Sequence, residues 1–161
     1  MTDLGDKPKQ ALIGIGSPFA EDVLGWRLLD GLQRHGLSPS DWETVFLKAD
    51  RPGAGLLDCL SGFDRVVLLD AMQCEDGCCS LRWLQADDLQ LAYGYSTHGF
   101  GVAEALKLGE KLGLLPEQWY LMGIGMEAEV DARTVACAAR MIFDLPPFRP
   151  GPGETARDPA A

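Results

Sequence analysis

Arg65-Val-Val-Leu-Leu-Asp-Ala71 sets four apolar residues in succession and then a carboxylate. A run this short, with no polar residue at every second position, suits a strand covered on both faces, as in a parallel sheet. Such a strand constrains the rest of the chain, because in α/β proteins helices supply the cover on both sides. The neighbouring segments fit. Ala11-Leu-Ile-Gly-Ile15 reads as a buried first strand, Thr44-Val-Phe-Leu47 as a second and Trp119-Tyr-Leu-Met-Gly-Ile124 as another, with Ser80-Leu-Arg-Trp-Leu84 near an edge. Between them, Val23, Leu24, Leu28, Leu29 and Leu32 fall at helical spacing, and Gly36 stands where that helix should stop. Leu56, Leu57 and Leu60 predict a short helix. Val102, Ala105, Leu106 and Leu112 predict another from near Gly101, and Ala132–Phe143 a last one. The alternation predicts an α/β fold: a three-layer α/β/α sandwich whose mostly parallel sheet has about five strands.

A length of 161 residues suits one domain with a real core. That domain is expected over 1–145; the Pro- and Gly-rich stretch 146–161 reads as a poorly ordered tail. No apolar run reaches the ~18 residues a membrane span needs. The apolar stretch after Gln10 is broken by Gly14 and Gly16 and does not read as a signal peptide, so a cytoplasmic location is expected. The formal charge of −10 shows no basic patch, which argues against nucleic acid and anionic membranes as partners.

Five cysteines, an odd number in a chain without secretory features, make a disulfide framework a poor reading. Cys74, Cys78 and Cys79 cluster around Gly77, but their spacing is not that of a zinc knuckle. Reduced thiols in a turn describe them better than a thiolate metal site. Trp26, Trp42, Trp83 and Trp119 read as packing residues.

In open α/β sheets, ligands bind beyond the carboxyl ends of the strands. Glu21 and Asp22 follow the first strand, Asp50 the second and Asp70 the third; His98 precedes a later helix in Ser96-Thr-His-Gly-Phe-Gly101. Each has a plain alternative. Asp22 can cap its helix, since carboxylates favour helix N-termini. Asp70 can bond loop amides, although a carboxylate directly behind Val66–Leu69 risks a burial that is costly unless paired or metal-bound. His98 alone can be a structural histidine, and His35, at a helix end, suits the dipole there. Gly14-x-Gly16 after a strand invites a dinucleotide-binding reading, but Phe19 stands where the third glycine belongs. Glu21 and Asp22 in the same loop would repel a pyrophosphate.

Five landmarks in order resemble those of the [NiFe]-hydrogenase maturation endopeptidases. They are Gly14-Ile-Gly-Ser-Pro-Phe-Ala-Glu-Asp-Val-Leu-Gly25, Asp50-Arg-Pro-Gly-Ala-Gly55 with Leu56 and Leu57, Val66-Val-Leu-Leu-Asp-Ala71, Ser96-Thr-His98 before Gly-Phe-Gly, and Leu121-Met-Gly-Ile124. The resemblance runs from about Ala11 to Phe143. It implies a twisted sheet flanked by helices, of the phosphorylase/hydrolase-like kind. It also implies an endopeptidase, often classed as aspartic-type, that removes the C-terminal extension of a hydrogenase large-subunit precursor after nickel insertion, acting as a monomer. The family's three metal-contacting residues fall on Asp22, Asp70 and His98, with Asp22 preferred to Glu21 because it stands three residues before Gly25. Asp50 is a further catalytic candidate. Ser17 stands where Asn is commoner, the acidic pair is Glu-Asp, and Arg51-Pro52 follow Asp50 where glycines are usual. Two carboxylates and an imidazole suit a divalent ion such as nickel, which the substrate carries in on this reading. A metal-polarised water or carbonyl and a carboxylate base then give hydrolysis. The rival from another class is a metal- or precursor-binding module of the same fold that does not cleave.

Overall fold

A computed structural model of the chain describes residues 6–17, 23–50, 53, 55–72, 81–85, 101–125 and 129–147. The elements in chain order are β1 (Lys9–Gly16), α1 (Leu24–Arg34), β2 (Glu43–Asp50), α2 (Gly55–Leu60), β3 (Arg65–Met72), β4 (Leu81–Leu84), α3 (Val102–Leu112), β5 (Gln118–Gly125) and α4 (Ala132–Phe143). The strands form one five-stranded sheet in the order β2-β1-β3-β5-β4. β1 pairs parallel with β2 and β3, and β3 parallel with β5; β4 alone runs antiparallel, at the edge beyond β5. The mostly parallel sheet and the edge position of the 81–84 segment are as the sequence predicts. No described helix is long and apolar enough to cross a membrane.

β3 is buried along its whole length, and alternation splits its side chains between two cores. Val66, Leu68 and Met72 pack with Leu56, Leu57 and Leu60 of α2 and with Val102, Ala103, Ala105 and Leu106 of α3. Val67, Leu69 and Ala71 pack with Leu24, Leu28, Leu29 and Leu32 of α1 and with Val135, Ala138, Ala139 and Ile142 of α4. This two-sided cover is why the segment reads as an unbroken apolar run. Each fully buried Val or Leu there contributes about 1.5–3 kcal/mol of transfer free energy.

α1 presents its apolar residues inward and ends where Gly36 takes φ 60°. The Gly36 amide donates to the Gln33 carbonyl at 3.1 Å and the Leu37 amide to the Leu32 carbonyl at 2.9 Å, a Schellman ending that favours glycine at this place. α4 starts on Asp131, whose side chain accepts the Thr134 amide at 2.9 Å. At the amino end of the sheet Arg65 is buried: its Nε donates to Gln10 Oε1 at 2.8 Å and its Nη1 to the Pro146 carbonyl at 3.3 Å. Its guanidinium lies 4.1 Å from the Trp42 ring centroid. Pro146 and Pro147 are the only residues of the predicted tail among those described.

Candidate functional site

The strand order creates one topological switch. From β1 the chain crosses to β2 on one side through α1, then back past β1 to β3 through α2 on the other face. The two connections part between the carboxyl ends of β1 and β3, where open α/β sheets bind ligands. Asp70 stands there. It is 4% exposed, and its place in β3 turns it toward the α2 and α3 layer with Leu68 and Met72. Its register partner in β5 is Gly123, and on the β1 side the pairing has just passed Gly14–Leu69. Asp70 therefore sits in apolar company, where a carboxylate is costly without a partner, and it has one.

Asp50 also reaches the carboxyl edge. It ends β2, opposite Gly16 of β1. β2 and β3 are two strand spacings apart, about 10 Å. Alternation turns Asp50 to the opposite face from Asp70: Phe46 of β2 joins the α1 and α4 core, and Lys48 pairs with Asp30 of α1 at 2.9 Å, whereas Ala49 joins the core of α2 and α3. Asp50 and Asp70 thus share an edge of the sheet but not a side of it. Ser17 continues from β1 into the same region and, like Asp50, is engaged by a neighbour.

The remaining candidates, Asp22, Glu21 and His98, lie outside the described residues, as do Cys74, Cys78 and Cys79. The flanking elements are described. Val23 occupies the N-cap of α1, without a side-chain cap bond, so the capping position considered for Asp22 belongs to its neighbour. α3 packs on Asp70's face of the sheet and begins behind the Gly101 N-cap, whose amide donates to Glu104 Oε2 at 3.0 Å. Among the described residues, no three His, Cys, Asp or Glu side chains gather as a metal site.

Gly14 is not a phosphate-loop glycine. It lies inside β1, and a Cβ on it would come within 2.6 Å of the Gly25 carbonyl oxygen. The feature that invited a dinucleotide reading is a contact between strand and helix. Sequence reasoning treated Trp26 as a packing residue and used Gly25 only to align a motif. In the structure Trp26 Nε1 donates to the Ala49 carbonyl at 3.2 Å, and Gly25 rests directly on strand backbone. The glycine in the first turn of a helix was the available signal, because it costs helix stability without visible return.

This arrangement defines an α/β/α protein with a buried carboxylate at a parallel-sheet switch point. The same fold occurs in hydrogenase maturation endopeptidases. The chain is similar to the hydrogenase maturating endopeptidase HybD from Escherichia coli, at 16% identity and TM-score 0.56, covering 84% of this chain and 87% of that one. It is similar to the endopeptidase HycI from Escherichia coli, at 12% identity and TM-score 0.61, covering 84% and 89%. A [NiFe] hydrogenase maturation protease HycI from Thermococcus kodakarensis matches at 18% identity and TM-score 0.53, covering 84% and 88%. At these identities the likeness is one of fold. No protein-family model and no curated protein matches the sequence.

Proposed function

We propose that the protein is an endopeptidase that removes the C-terminal extension of a [NiFe]-hydrogenase large-subunit precursor once nickel is in place. The observation that carries the reading is Asp70: a buried carboxylate, set among apolar residues, at the switch point of a sheet whose fold is that of named maturation endopeptidases. Two further placements support it. Residue 22 immediately precedes Val23 and the first turn of α1, which lies on the β1 and β3 ends. Residue 98 precedes the Gly101 cap of α3 by three positions, and α3 lies on Asp70's face.

On this reading Asp22, Asp70 and His98 complete the coordination of nickel carried by the precursor. Carboxylate oxygens and an imidazole are a suitable donor set for such an ion. Binding therefore depends on the metal, and an unloaded precursor is passed over. A carboxylate of the site accepts the proton of the attacking water, and the ion polarises the bond under attack. Asp50, on the other side of the sheet, contributes to the surroundings of the site rather than to the donor set. The protein works at the site as a monomer and does so in the cytoplasm.

The test is the mass of a nickel-loaded large-subunit precursor before and after incubation, beside a nickel-free precursor. Loss of one discrete C-terminal peptide, from the loaded sample alone, is the expected result. Binding of the loaded precursor without any loss of mass would replace the protease by a module of the same fold that inspects or carries its partner.

A further inference from the structure

The first turn of α1 lies across the carboxyl ends of three adjacent strands. A Cβ on Gly25 would stand 2.4 Å from the Ile15 carbonyl oxygen of β1 and 2.4 Å from the Leu69 carbonyl oxygen of β3, with the Ile15 nitrogen at 2.9 Å. These are backbone atoms of two central strands, so no rotamer change can relieve the clash. On the other side, the Trp26 indole N–H donates to the Ala49 carbonyl of β2. One helical turn therefore touches β2, β1 and β3 together.

Ala49 and Ile15 each stand one position before the last residue of their strands, Asp50 and Gly16, and Leu69 stands one position before Asp70, with Ala71 and Met72 completing β3. The carbonyl of Leu69 belongs to the same planar peptide unit as the Asp70 amide, so fixing that oxygen fixes where the Asp70 backbone begins.

We infer that Gly25 and Trp26 are positioning residues: the glycine lets α1 settle on the β1 and β3 carbonyls, the indole ties the same turn to β2, and together they hold Asp70 in register for the reaction. The inference rests on the endopeptidase reading for its catalytic consequence and on the backbone contacts for its structural one. Neither residue touches the reacting atoms. Catalysis is sensitive to this kind of support, because a misplacement of about 1 Å can lower a rate by roughly 100-fold.

The experiment uses the full chain and three variants: Gly25→Ala, Trp26→Phe, and Gly31→Ala as the control. Gly31 is in the same helix, and a Cβ on it would meet Val135 Cγ2 at 2.6 Å, away from the strand ends. Two quantities are read: amide hydrogen exchange at Asp50, Asp70 and Ala71, and kcat and KM for cleavage of the nickel-loaded precursor. In Trp26→Phe we expect kcat to fall about tenfold or more, with KM within about twofold. Exchange at the three amides should rise about tenfold as the strand ends loosen. Gly25→Ala should show larger changes of the same kind; if it does not fold, Trp26→Phe carries the test. Gly31→Ala should lower the melting temperature while leaving kcat and the three amides unchanged. Unchanged exchange in Trp26→Phe, or an equal loss of kcat in Gly31→Ala, would overturn the inference. A wild-type protein that cleaves no loaded precursor would remove the endopeptidase reading, and the exchange arm would still decide whether this turn holds the strand ends.

Discussion

At the scale of single residues, burial separates Asp70 from Asp50. Asp70 is buried at the switch point, whereas Asp50 is exposed at the end of β2 and turned to the other side of the sheet. Replacing a carboxylate by its amide keeps shape and most hydrogen bonding while removing charge and basicity. Asp70→Asn is therefore expected to lower precursor cleavage by at least about 100-fold with the fold retained, and Asp50→Asn by less than about tenfold; a mass-spectrometric time course beside circular dichroism checks both. Arg65 answers a different question. Burial pulls the proton affinity of its guanidinium down from the ordinary value, while Tyr120 and Asp41 oppose that shift. The charge is held by Gln10, the Pro146 carbonyl and the Trp42 ring. Arg65→Ala leaves Gln10 Oε1 without its donor and should cost about 2–4 kcal/mol, measured by urea unfolding. Arg65→Lys should recover only part of this, since an ammonium cannot copy the planar fork.

At the scale of elements, the helix ends carry readable chemistry. Asp131 caps α4 through the Thr134 backbone amide, with a further bond from the Thr134 hydroxyl at 2.9 Å. Those bonds, the amide first, hold its pKa below the ordinary 3.8. A depressed carboxylate pKa adds stability that is present above the unfolded value and disappears as pH falls through the folded one. Asp131→Asn should therefore keep most of the cap at neutral pH, because asparagine caps well. Below about pH 4 the wild type should lose stability relative to that variant, and thermal melts at pH 7 and pH 3 check the difference. The same scale explains why α1 was legible in outline but not in contact. Its leucine spacing and Gly36 stop follow from helix periodicity and from the left-handed ending. The seating of Gly25 on Ile15 and Leu69 follows from where two distant strands end, and no local pattern encodes that.

At the scale of the molecule, a charge of −10 sets the long-range electrostatics. The Lys48–Asp30 ion pair has both side chains exposed, and a pair of that kind offsets little of the repulsion. Screening should then stabilise the fold: raising ionic strength from about 0.01 to 0.15 M shortens the Debye length from ~30 to ~8 Å and is expected to raise the melting temperature. A scanning-calorimetry series in sodium chloride tests this, and a falling melting temperature would mean that attractive pairs dominate after all. The same acidity argues against a phosphate-rich partner.

Read alone, the sequence determined the layers. Short apolar runs named the strands, 3.6-residue spacing named the helices, and the unbroken run of β3 declared cover on both faces, its side chains alternating between two cores. It also put Asp70 directly behind the apolar run of β3 and Asp50 three residues beyond that of β2. Strand order and side of the sheet belonged to the tertiary structure. The pairing of β1 between β2 and β3 made the switch point, and the two-residue period turned Asp50 and Asp70 to opposite faces. Both depend on which strand lies beside which, a relation between residues far apart in the chain that local spacing does not carry.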